Sequence, residues 1–227
     1  GMGRTGIAPG DEALELYASL ERLPGLTPDG LHVYDGHLTS TDDPTRIHDC
    51  RNAEARVVAF RQRLTSRELP VPRLVLGGTP TFPVHAEFRA AGVECSPGTV
   101  VYHDYNYQSR YPNLPFTPAA LLLTRVVSRP RPGRICLDLG YKAVASDPQG
   151  LRAFFPALPD ATPVVHSEEH LVLEDAAADS LAIGTPLLAV PAHVCPTSAL
   201  HRRVYVVSDG CVVGEWDVTA RDRRLRF

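Results

Sequence analysis

Apolar positions Leu14, Leu16, Tyr17, Leu20 and Leu23 recur at helical spacing, so the pattern predicts a helix over residues 11–23, ended by Pro24-Gly25. The apolar run 31–34, closed by Asp35-Gly36, predicts a strand followed by a loop. Asp43-Pro44 opens a second, longer helix, with Asp suited to the N-cap and Pro to the first turn. Ile47, Cys50, Val57, Phe60 and Leu64 mark its buried stripe. Residues 72–76 read as a strand running into Gly77-Gly78-Thr79-Pro80-Thr81, residues 85–91 as a short helix, and residues 93–95 as a strand running into Ser96-Pro97-Gly98-Thr99. Strand, glycine loop and helix in alternation predict parallel βα units.

The pattern changes near Ala120. Residues 121–128 and 134–139 read as strands joined by a turn. Short apolar runs follow at 164–165, 170–173, 187–190, 204–208 and 211–216, and Asp209-Gly210 signals a two-residue hairpin. This half reads as all-β, with Trp216 in its core and Cys211 buried in the hairpin. The expected organisation is a partial (β/α) barrel of the TIM type over residues 1–119, followed by an antiparallel β domain over 120–227.

Composition narrows the classes without choosing among them. The 227 residues are 44% hydrophobic with a formal charge of −3, enough for a sizeable core. No stretch reaches the roughly 18 apolar residues of a membrane span. The near-neutral balance gives no electrostatic reason to expect nucleic acid or anionic lipid. The arginine-rich tail 221–226 reads as a solvated end. Five dispersed cysteines and no basic-then-apolar start point to reduced thiols and a cytoplasmic setting. Lys142 is the only lysine.

Two features carry chemistry. Gly77-Gly78-Thr79 and Ser96-Gly98-Thr99 each follow a strand end, where glycines let the backbone approach an anion and bare N–H groups bind it. His193-Val194-Cys195, read as extended, puts imidazole and thiolate on one face, a donor pair better suited to zinc than to magnesium or calcium.

Eight ordered motifs make the chain recognisable. They are Gly1-Met-Gly-Arg-Thr-Gly6, Tyr34-Asp-Gly-His37, Gly77-Gly-Thr-Pro-Thr81, Ser96-Pro-Gly-Thr99, Arg125-Val-Val-Ser-Arg-Pro130, the run 137–147, Ser167-Glu-Glu-His170 and His193-Val-Cys-Pro-Thr197. Together they resemble the D-threonine aldolase / D-serine dehydratase family, pyridoxal-phosphate enzymes of the alanine-racemase-like type. The resemblance implies a cofactor site in which Arg4 lies near the phenolic oxygen, Tyr34 lines the pocket, and Thr79, Gly98 and Thr99 hold the phosphate. It implies a divalent metal on His193 and Cys195. Cysteine at the second position favours zinc over manganese or magnesium and leans toward the dehydratase members. The implied reaction is a lyase step on a small D-3-hydroxy amino acid, with the metal on the β-hydroxyl and the cofactor as electron sink.

One departure stands out. The family anchors its cofactor on a lysine upstream of the Gly-Met-x-Arg-Thr-Gly motif, and Lys142 sits in a different motif, better suited to a structural role. The expectation is a chain lacking the lysine-bearing half of the barrel, functioning as a homodimer or with that missing half. The competing readings are a catalytically inactive zinc-binding fragment and a metal-independent racemase. His37 and His170 are further candidates to face substrate, Glu168-Glu169 reads as a solvated acidic pair, and Tyr102, Tyr105, Tyr107 and Tyr111 as packing.

Overall fold

The computed structural model describes residues 1–223 and 225; Arg224 and Arg226 of the expected solvated tail lie outside them. The chain forms two compact units, Gly1–Val101 and Tyr102–Phe227.

In the first unit, α1 (Asp11–Leu20) precedes β1 (Gly30–Val33), α2 (Asp43–Thr65), β2 (Arg73–Leu76), α3 (Phe82–His85) and β3 (Val93–Cys95). The strands form a parallel sheet in the order β1-β2-β3, with α2 and α3 as crossovers. Leu14 and Tyr17 of α1, Val57, Phe60 and Leu64 of α2, and Leu74 and Leu76 of β2 form its core. Three local expectations shift. The cap of α2 is Asp42, whose carboxylate accepts the Thr45 N–H at 2.9 Å. Asp43 and Pro44 fill the first two helical positions, so the carboxylate one residue earlier is the one that reaches the third-position amide. Cys50, Val57, Phe60 and Leu64 are buried, but Ile47 is 44% exposed while Arg46 and Glu54 are buried. The short helix falls at Phe82–His85, ahead of the expected 85–91, because Pro83 sits in its first turn.

In the second unit, α4 (Tyr105–Arg110) precedes β4 (Leu122–Arg131), β5 (Arg134–Leu137), β6 (Ala153–Phe154), β7 (Thr162–His166), β8 (Leu171–Glu174), β9 (Pro186–Pro191), α5 (Val194–Leu200), β10 (Arg203–Ser208) and β11 (Cys211–Asp217). Six strands make one antiparallel sheet in the order β6-β9-β4-β5-β8-β7. The ten-residue β4 is its spine, pairing β9 through Leu122–Arg125 and β5 further along. Val126, Ile135, Leu137, Phe155, Leu171 and Leu173 are among its core residues.

Strands β10 and β11 pair only with each other, through a turn in which Asp209 and Gly210 take positive φ of 50° and 76°. With no second layer on that ribbon among the described residues, Trp216 is 61% exposed and Cys211 is exposed, against the expectation that both are buried. No helix among the described residues is long and apolar enough to cross a membrane.

Candidate active site

In the first unit the candidate residues collect at the carboxyl ends of the parallel strands. Tyr34 follows β1, Gly77-Gly78-Thr79 follows β2, and Gly98-Thr99 leads into the 3-10 turn Thr99–Val101 after β3. The Arg4 guanidinium lies over the Tyr34 ring, 5.2 Å from its centre. That ring packs on the backbone of Gly78, where a Cβ would stand 3.1 Å from Tyr34 Cε2. Thr79 is buried and its hydroxyl oxygen accepts the Val100 N–H at 3.2 Å, joining the two glycine loops. Gly98 is exposed, and a Cβ built there meets nothing within 4 Å. Arg4, Tyr34, Thr79, Gly98 and Thr99 thus lie along one linked set of loops, with an open, glycine-lined approach to backbone amides.

Directly beneath lies a buried charged cluster that the sequence reading missed. His85 Nε2 is 2.8 Å from Asp35 Oδ2, and its Nδ1 is 2.9 Å from Glu54 Oε1. All three side chains are at most 4% exposed. Arg51 donates to both Glu54 oxygens, at 3.0 and 2.9 Å. Burial works against a charged ring, but hydrogen bonds with Asp35, Cys50 and Glu54 outweigh it and push the His85 pKa up to about 10. The donors of Asp35, Cys50 and His85 lie within 4.8 Å of one another, close enough for a metal, but both imidazole nitrogens are already engaged by carboxylates. The apolar stripe of α2 could not reveal the cluster. The available signal was Cys50 and Glu54, four apart on one helical face.

In the second unit His193 and Cys195 do not share a strand. Strand β9 ends at Pro191; His193 is the N-cap of α5 and Cys195 lies in its first turn. An N-cap side chain projects over that turn, so imidazole and thiol still meet through a side-chain hydrogen bond. That bond raises the His193 pKa most, partial burial opposes it, and Asp147 adds to the rise, to about 9. Asp147 Oδ2 stands 2.5 Å from His193 Nδ1. The backbone here is held from two sides. The fully buried Asp104 accepts the Tyr107 N–H of α4 at 3.0 Å and the Val194 N–H of α5 at 3.1 Å. Thr197 donates to the His193 carbonyl at 2.7 Å and accepts the Ala145 N–H at 3.1 Å. The result is a nitrogen and a sulfur donor side by side and partly open, with a carboxylate orienting the ring.

Lys142 is exposed, 2.9 Å from Glu168 and 2.8 Å from Glu169, and hydrogen bonding to Glu169 and then Glu168 raises its pKa. The ammonium form is not nucleophilic, and Glu168-Glu169 serves as its counter-charge. Tyr105 stacks on Phe154 at 4.4 Å and Tyr111 is buried, which places both in packing. His37 and His170 are exposed.

Residues 1–106 match the family model of the alanine racemase N-terminal domain, and residues 119–207 that of a putative serine dehydratase domain. Over 230 residues the chain is 30% identical to D-threonine aldolase of an Arthrobacter species, covering 97% of this chain and 59% of that protein. It belongs to the alanine-racemase-like family. Within that family it is also 28% identical to 3-hydroxy-D-aspartate aldolase of Paracoccus denitrificans, covering 98% of this chain and 59% of that one. The crystal structure of D-threonine aldolase from Filomicrobium marinum superposes with a TM-score of 0.87 at 29% identity, covering 97% of this chain and 60% of that one. This alanine-racemase-like chain therefore spans about three-fifths of the length of the relatives it matches.

Proposed function

We propose that the chain is part of a lyase that uses pyridoxal phosphate and a divalent metal to act on D-3-hydroxy amino acids. The relatives' names support the reaction class. One observation carries the reading: at the start of α5 the His193 ring interacts with the Cys195 thiol, and its Nδ1 is engaged by Asp147. Asp147 takes the Nδ1–H and leaves the second ring nitrogen free to bind a cation beside the thiolate. The soft sulfur favours zinc over manganese or magnesium.

The residues of the first unit fit the cofactor. Gly98 is exposed, with nothing within 4 Å of where a Cβ would stand, which leaves a phosphate room to approach the backbone at Gly98 and Thr99. Thr79 fixes the spacing of the two loops. Arg4 over Tyr34 makes a flat cationic wall suited to an aromatic ring bearing a phenolate. When bound, pyridoxal phosphate supplies an electron sink for charge developing at the substrate Cα. His193 and Cys195 would hold the ion, which would supply Lewis acidity toward the substrate β-hydroxyl. Lys142, paired to two carboxylates, does not supply the anchoring amine, so the reading assigns that amine to a lysine outside these 227 residues and takes the parallel sheet as part of a barrel.

The test is metal analysis of the wild-type chain and Cys195→Ala, beside consumption of D-threonine and D-serine with added pyridoxal phosphate. Stoichiometric zinc in the wild type, lost in the variant with circular dichroism retained, is expected. Unchanged metal content in Cys195→Ala removes the metal assignment, and a wild-type chain that takes up no pyridoxal phosphate removes the cofactor assignment.

A further inference from the structure

The cluster beneath the glycine turn connects to it atom by atom. The Thr81 hydroxyl donates to Asp35 Oδ1 at 2.9 Å, and its oxygen accepts the Gly78 N–H at 3.0 Å. His85 lies under the same turn: a Cβ on Gly77 would stand 2.7 Å from His85 Cδ2 and 3.0 Å from Thr81 Oγ1. Gly77 has a φ of +80°, open to glycine and strained for other residues. Asp35 also follows Tyr34 in sequence, and a Cβ on Gly78 would lie 3.7 Å from Asp35 Oδ1. An unbroken chain of contacts therefore runs from Arg51 through Glu54, His85, Asp35 and Thr81 to the Gly78 amide.

We propose that His85, Asp35 and Thr81 are positioning residues: the ring clamped between two buried carboxylates sets the shape of the Gly77–Thr79 turn and so the phosphate cradle built on it. The inference rests on the phosphate reading for its purpose, but its geometry does not depend on any ligand. Two anions, Asp35 and Glu54, face two cations, His85 and Arg51, so the cluster adds little net field at the turn and acts through shape. A doubly protonated ring satisfies both carboxylates at once. Removing it leaves Asp35 without its buried partner while Glu54 keeps Arg51, so the disturbance falls on the Asp35 side, next to Thr81 and the turn.

The experiment compares wild type, His85→Ala, Thr81→Val and Thr81→Ser. Gly78 amide exchange is measured without ligand, and affinity is measured for pyridoxal phosphate and for inorganic phosphate. Thr81→Val cuts the link to the turn while leaving the ring and carboxylates paired, so it decides the matter even where His85→Ala does not fold. The expected result is faster Gly78 exchange and about tenfold weaker binding in Thr81→Val, restored by Thr81→Ser, with exchange across β4 and β5 unchanged. Wild-type Gly78 exchange in a folded Thr81→Val or His85→Ala overturns the proposal. Faster Gly78 exchange in Thr81→Val, alongside a wild type that binds neither phosphate compound, supports the positioning role and refutes the cradle. Zinc retained by Cys195→Ala and lost on further Cys50→Ala would make the cluster a metal centre and also overturn the proposal.

Discussion

Two histidines in this molecule have much the same kinds of neighbours and opposite fates. His85 is sealed, with a carboxylate on each ring nitrogen, Cys50 beside it, and almost no exposure. His193 has one carboxylate and one cysteine but stands 37% exposed at the start of a helix. In the closed setting the partners spend each other's charge, and the group becomes part of the scaffold. In the open setting the cysteine and one ring nitrogen remain able to trade protons for a cation. Residue type alone does not make a site; spare valence within reach of solvent does.

The contrast breaks most sharply at Glu54. Its replacement by alanine strips one anion from a buried pair, and a loss of about 3–5 kcal/mol in the first unit is expected, read as a shifted denaturation midpoint. A smaller effect comes from pH. The folded His85 pKa of about 10 lies above its ordinary 6.5, so its stabilisation is fully present below 6.5 and lost as pH rises through 10. Asp35, Cys50 and Glu54 face it directly; Arg51 bonds Glu54, and Cys95, whose thiol is held above its usual value by burial and then by Asp35 and Glu54, lies near the two carboxylates. Denaturation at stepped pH should show the first unit weakening across that window; flat stability would mean the ring is neutral. Smallest is Asp147→Ala, which leaves His193 and Cys195, the two proposed metal donors, in place. Zinc affinity about tenfold to a hundredfold weaker, measured by competition with a chelator, is expected. An unchanged affinity would show that the ring needs no outside orientation.

Much of the architecture was legible from periodicity, because apolar spacing reports directly on which face is covered. The parallel βα units and five of the six strands of the larger sheet follow from it, β6 being too short to show, and the hairpin follows from the Asp209-Gly210 turn signal. The rule failed where its premise did. On α2, Glu54 and Arg46 occupy buried positions because their charges are paired, while Ile47 is left to solvent. Trp216, large and apolar, reads as core, but its strand has one partner and no covering layer among the described residues. The expected strand at His193 and Cys195 is instead a helix start, with His193 as N-cap and Cys195 in the first turn. Only Cys50 and Glu54, four apart on α2, hint at the His85 cluster, because its other members are up to fifty residues apart and join through the tertiary fold.

Asp104 sets a lower limit on how little chain can build the His193 corner. Its one carboxylate terminates two helices ninety residues apart in sequence. A segment cut to the serine-dehydratase-like span 119–207 would still carry His193, Cys195 and Asp147, yet it would leave the Val194 amide without its acceptor. The smallest autonomous version of this corner therefore begins before residue 104, inside the stretch matched by the racemase-like model rather than at the edge of the dehydratase-like one.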